Sequence, residues 1–98
     1  MDAPDLSSRQ RKWLRGRAHA LRPVVLIGQA GVTDAVVQSV DTALTARELI
    51  KVRLHEPEDK HAAAEALASR TGAVCCGLVG HTVILYRPHP EKPVIVLA

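Results

Sequence analysis

Four apolar residues, Val24-Val25-Leu26-Ile27, stand between Pro23 and the turn Gly28-Gln29-Ala30-Gly31, and no other feature narrows the folding choices of the chain as much. A run this short, closed on both sides by turn formers, reads as a strand; its lack of alternation predicts burial on both faces or a central position. Thr33 is a natural N-cap, and Val36, Val37, Val40, Ala43 and Leu44 recur at helical spacing, so a helix is expected from about Asp34 to Ala46. Leu49 to Leu54 then alternates, with Ile50, Val52 and Leu54 on one face and Lys51 and Arg53 on the other, as a half-exposed strand does. Strand, helix, strand at this spacing implies a parallel crossover.

The flanking segments complete the pattern. Ser7-Ser8-Arg9-Gln10 has capping-box spacing and opens a helix expected from about Ser8 to Ala20, ended by Arg22-Pro23. Gln10, Leu14, Ala18 and Leu21 fall on one side of it and Trp13 on the border. Pro57 suits a first helical position, with Glu56, Glu58 and Asp59 at the positive helix end. That helix continues through the Ala-rich His61–Ser69 stretch and stops at Gly72. Strands over Ala73–Val79 and Thr82–Arg87 follow, joined by the two-residue loop Gly80-His81. Val94 to Leu97 either adds an edge strand or packs against the body. The order α-β-α-β-α-β-β predicts an α/β two-layer sandwich with a mixed four-stranded sheet. Its 98 residues form one domain, 1–6 and 88–98 being peripheral tails.

Composition decides what fills that frame. Aromatics are 2% of the chain, Trp13 and Tyr86 alone, so the core is aliphatic and no aromatic platform for stacked bases is expected on the sheet. Cys75 and Cys76 are adjacent and would face opposite sides of a strand, which argues for two small buried hydrophobes, no disulfide and a reducing, cytoplasmic setting. Met1 to Asp5 has neither the basic lead nor the apolar stretch of a signal peptide, and no run is long enough to span a membrane.

The formal net charge is +3, unevenly spread. Residues 1–33 carry six basic and two acidic side chains, residues 34–98 seven and eight, and none from Leu6 to Thr33 is acidic. On the first helix Arg11, Lys12, Arg15, His19 and Arg22 form an arc opposite the apolar side, and Arg9 starts the helix. A solvated face normally mixes Glu with Lys; this one does not, which points to a polyanionic partner. Gly28 and Gly31 allow close approach of a bulky ligand, and the following helix start offers N–H groups suited to a phosphate. The Lys-Ser/Thr ending of a nucleotide-binding P-loop and the dinucleotide spacing are missing. His19, His55, His61, His81 and His89 show no metal-ligand spacing, and no nucleophile–base–oxyanion set is present, so neither metal nor cofactor nor enzymatic activity is expected. A protein-interaction adaptor docking its basic helix on an acidic partner is the alternative.

Taken together, several segments resemble one family: Leu6-Ser7-Ser8-Arg9-Gln10-Arg11, Leu14-Arg15-Gly16, Ala18-His19, Pro23-Val24-Val25-Leu26-Ile27-Gly28, Gly31-Val32-Thr33, Glu48-Leu49-Ile50-Lys51-Val52, Thr71-Gly72-Ala73 and Leu85-Tyr86-Arg87-Pro88. From Leu6 to about Pro88 the chain is similar to the YhbY family, the stand-alone bacterial form of the CRM domain. The resemblance implies a fold similar to the C-terminal domain of translation initiation factor three, RNA binding, and association with ribosomal RNA in precursors of the large ribosomal subunit. The expected RNA-binding set is Arg9, Arg11, Lys12, Arg15, Arg22, the loop Gly28, Gln29, Ala30 and Gly31 with Thr33, then His81 (where the family often has Lys or Arg) and Arg87. No small-molecule substrate is expected, and the protein is expected to be a monomer.

Overall fold

The structure is a computed structural model that describes residues 3–97; Met1, Asp2 and Ala98 of the expected tails lie outside the described residues. The elements run α1 (Ser8–Ala18), β1 (Pro23–Ile27), α2 (Asp34–Arg47), β2 (Leu49–Leu54), α3 (Lys60–Thr71), β3 (Val74–Val79) and β4 (Thr82–Tyr86). The sheet order is β1-β2-β4-β3. β1 and β2 are parallel, and β4 is antiparallel to both β2 and β3, so the sheet is mixed as expected.

Alternation in the strands sorts the apolar residues onto two faces. Ile50, Val52, Leu54, Val83 and Leu85 join Val40, Leu44, Ala64 and Leu67 in a core under α2 and α3. Leu49, Ile84 and Tyr86 face the other way and meet Leu6, Leu14 and Ala18, with Trp13 against them. α1 therefore forms a layer of its own on the face opposite α2 and α3, and the expected two layers become three. Alternation along β3 turns Cys76 into the α1 cluster and Cys75 onto the α2/α3 core, and a bulge between Cys75 and Gly77 keeps Gly77 on the α1 side as well. Burial pushes the Cys76 thiol up to about 11, reinforced by Cys75 and opposed by Arg15 and Arg11, so it stays protonated at neutral pH.

β1 departs from expectation. It is an edge strand, with Leu26 65% and Val24 42% exposed. Val25 and Ile27 face the core; the face that would cover Val24 and Leu26 lacks a helix, because α1 packs over β3, β2 and β4. α1 ends two residues early. His19 and Leu21 make tight N–H bonds back to Gly16 and Ala18, and the Lys51 ammonium takes the carbonyls of His19 (3.3 Å) and Leu21 (3.1 Å). A cation at the negative helix end is favourable there. α3 begins at Lys60 rather than Pro57, since Asp59 caps it by accepting the Ala62 N–H at 3.0 Å. Gly72, at φ 71°, ends it in the left-handed conformation that only glycine adopts cheaply. β4 stops at Tyr86, one residue short of the expected Arg87.

Val94 to Leu97 forms no strand. Ile95 and Leu97 pack against the α1 cluster, and the tail is held by Glu48, itself at φ 64° where α2 meets β2. Its carboxylate accepts N–H bonds from His89 (2.7 Å), Val94 (2.9 Å) and Ile95 (2.9 Å). Burial pushes this carboxyl up; the three backbone donors, joined by the His89 charge, outweigh it and leave the group below its ordinary range.

Candidate nucleic-acid interface

α1 forms because Ser7 and Gln10 cap each other: the Ser7 hydroxyl accepts the Gln10 N–H at 3.1 Å and the Gln10 side chain accepts the Ser7 N–H at 3.0 Å. Burial of Leu14 and Ala18 then fixes its rotation on the sheet. The expected cationic arc divides into two kinds of side chain. Arg9 and Lys12 are exposed and form no hydrogen bond with any described residue. Arg11 folds back to donate to the Leu6 carbonyl (2.8 Å) and the Ser8 hydroxyl (3.1 Å). Arg15 donates to the Cys76 carbonyl at 2.7 Å and lays its stem over Gly77, where a Cβ would meet the Arg15 Cδ at 2.5 Å. Arg22 leaves the arc, because the helix ends before it; it sits beside Arg17, Pro23 and Arg47 instead.

A groove of about 700 Å³ runs between α1 and the open end of the sheet. Lys12, Arg15 and His19 form one wall, and Lys51 and Arg53 of β2 the other. Ile84 and Thr82, the β4 partners of Lys51 and Arg53, lie in its floor. No carboxylate of the described residues lines it. The sequence marks Lys51 and Arg53 as outward-facing but omits them, with His19, from the expected set. The signal that would have included them is the placement of α1 on their side of the sheet, which no local pattern encodes.

The glycine loop lies elsewhere. Gly28, Gln29 and Ala30 are exposed, and the Gly31 N–H bonds the Gly28 carbonyl at 3.1 Å. Gly31 sits at φ 76°, which favours glycine; Gly28 needs no such conformation, and a Cβ there would meet nothing, so its effect is to keep the main chain bare. The loop shares a cleft of about 730 Å³ with His55, Glu56, Glu58 and Asp59 and, among the described residues, with no lysine or arginine. Thr33 uses its hydroxyl to accept the Val36 N–H at 3.2 Å, capping α2. Next to it Asp34 pairs with Arg70, which also holds the Val32 carbonyl. His81 is exposed at the β3–β4 turn.

Arg87 is a correction. It is expected to meet RNA, yet it is buried, and both terminal nitrogens of its guanidinium are engaged. It donates to the Asp41 carboxylate (2.6 Å), the Thr71 carbonyl (2.7 Å), the Thr45 hydroxyl (3.0 Å) and the Asp41 carbonyl (3.1 Å). It ties the ends of α2 and α3 to β4 and offers no surface to a ligand. Among the described residues no group of three or more His, Cys, Asp or Glu is placed to hold a metal ion, and no helix is long and apolar enough to cross a membrane.

The chain is similar to known proteins along nearly its whole length. "Probable RNA-binding protein YqeI" of Bacillus subtilis is 37% identical over 94 residues, covering 94% of this chain and 98% of that one. A Haemophilus influenzae protein named "RNA-binding protein" is 37% identical over 91 residues, covering 91% and 92%. The solution structure of the hypothetical protein SAV1595 from Staphylococcus aureus superposes with a TM-score of 0.83 at 31% identity, over 96% of this chain and all of that one. Residues 6–87 match the model of the CRS1 / YhbY (CRM) domain, and with three helices on a mixed four-stranded sheet the chain belongs to that family.

Proposed function

We propose that this protein is a non-enzymatic, cytoplasmic RNA-binding domain that acts as a monomer on ribosomal RNA within precursors of the large ribosomal subunit. The observation that carries the RNA reading is the groove between α1 and β2, with Lys12, Arg15, His19, Lys51 and Arg53 on its walls and no carboxylate among the described residues. A cation-lined groove without an acidic partner attracts a phosphate backbone whatever its sequence. Relatives named RNA-binding proteins support the same partner, and the family resemblance supports the ribosomal target. Arg9 and Lys12 supply charge that nothing else in the fold uses, and Arg11 and Arg15 add charge from anchored positions. The loop Gly28–Gly31 adds bare main chain, with the carboxylates of Glu56, Glu58 and Asp59 beside it.

Titration of a labelled structured RNA across a salt series tests this. The double variant Lys12→Glu, Arg53→Glu should stay folded and flatten the salt dependence by about 1.5 log units per log salt, as expected when two phosphate contacts are lost. Unchanged affinity and slope would sink the reading; absence of binding by the native protein at low salt would favour an acidic protein partner. Glu58→Lys should tighten binding if the RNA passes over the glycine loop and leave it unchanged if it does not. Crosslinking in cells, followed by sequencing of the bound RNA, checks the ribosomal target.

A further inference from the structure

Gly16 is in the exposed interior of α1, where glycine costs about 1 kcal/mol relative to alanine. Nothing in the fold requires it: a Cβ at this position would meet no atom within 4 Å. What the missing side chain leaves is room beside Trp13. Residues three and four apart on a helix are neighbours, so Gly16 and Arg17 both lie against Trp13, and Arg9 approaches it from the preceding turn. The Arg17 guanidinium lies over the indole, 5.3 Å from the ring centroid. Arg9, Lys12, Trp13, Gly16 and Arg17 together line a shallow notch of about 590 Å³, within the size range of small-ligand clefts. Trp13 is half-buried, whereas Tyr86, the other aromatic residue, is 3% exposed, so Trp13 offers the aromatic surface.

We infer that this notch is a stacking site for a single unpaired nucleobase of the bound RNA, seated on the Trp13–Arg17 pair in the space left by Gly16, with Arg9 and Lys12 facing its flanking phosphates. RNA-binding proteins stack splayed-out bases on aromatic rings and arginine planes, and bases held within a duplex are not available for this. The inference deepens the RNA reading above and rests on it. It also sharpens the expectation drawn from composition: the sheet has no aromatic platform, but the first helix has one.

Trp13 is the sole tryptophan, so its fluorescence reports directly on this site. The probes are an RNA duplex with one bulged adenosine and the same duplex without the bulge. Both should bind at low salt, the bulged RNA about tenfold more tightly, the equivalent of one stacked base. Only the bulged RNA should quench Trp13 strongly. Gly16→Leu fills the notch without touching the core; it should unfold at or slightly above the native midpoint, through helix propensity, and lose the tenfold preference for the bulged over the plain duplex measured on the same variant. Equal affinities with unmoved fluorescence, or a Gly16→Leu variant that still prefers the bulge, would overturn the stacking site. If neither RNA binds the native protein at low salt, the RNA reading fails and the stacking site with it.

Discussion

Arg87, just past the end of β4, and Arg53, at the far end of β2, stand on opposite faces of one sheet and end in opposite conditions. On the α2/α3 face, Arg87 is enclosed and its guanidinium is shared among Asp41, Thr45 and Thr71. On the α1 face, Arg53 is exposed and joins Lys12, Lys51, Arg15 and His19 around a groove. The difference comes from coverage. Two helices seal one face, so a charge there must be paired and hydrogen-bonded. One 11-residue helix covers only part of the other face, and cations beyond it remain in water. Arg87 is therefore structural and Arg53 available, and residue type alone cannot say which.

The largest expected effect breaks the closed side. Arg87→Leu should cost about 2 to 3 kcal/mol in denaturant unfolding, because the Thr71 carbonyl and the Thr45 hydroxyl lose their donor; the half-exposed Asp41 can turn to water. The folded fraction should bind RNA as before. An equal loss of affinity would return Arg87 to the interface.

Glu48 comes next. Glu48→Gln should cost about 2 kcal/mol near neutral pH, as expected for several hydrogen bonds to one buried charge. Its folded pKa is depressed, so this stability is present above the ordinary carboxylate value and is lost as pH falls through the folded pKa. Unfolding at a series of pH values should show the gap between wild type and Glu48→Gln closing in acid. Protection of the His89, Val94 and Ile95 amides from exchange, relative to their intrinsic rates, should fall over the same range.

Arg15 tests the boundary between the two conditions. Arg15→Lys keeps the charge but gives up the arginine fork that reaches the Cys76 carbonyl, so it should cost about 1 kcal/mol of stability. The salt slope of RNA binding should not change. A changed slope would mean that the guanidinium itself, rather than its charge, meets the phosphate. The smallest effect should be a gain: Gly16→Ala should raise stability by at most about 1 kcal/mol through helix propensity alone.

What could be read beforehand follows from the range of the forces involved. Ser7 with Gln10, Thr33 and Gly72 act within a turn of their own helix, and each is where its residue type predicts. The alternation of Ile50, Val52 and Leu54 against Lys51 and Arg53 is equally local. The order of the strands is not local. It puts β1 at the edge and exposes Leu26, although an unbroken apolar run implies the opposite. It also carries α1 across to the face where Lys51 and Arg53 emerge, turning two outward cations into a groove wall. Glu48 had no sequence signal at all, since its partners lie some forty residues away at His89, Val94 and Ile95.

The alternation of β3 gives the molecule a pair of built-in clocks. Cys75 and Cys76 are consecutive in the chain, yet the sheet stands between their side chains, one against the α2/α3 core and the other under α1. The buried Cys76 meets a thiol-alkylating reagent only when the α1 side opens, whereas the half-exposed Cys75 is reached more readily, so two labelling rates read from one peptide set the breathing of the α1 face against a partly open reference under the same conditions. RNA that grips α1 should slow the Cys76 clock and leave Cys75 keeping its own time.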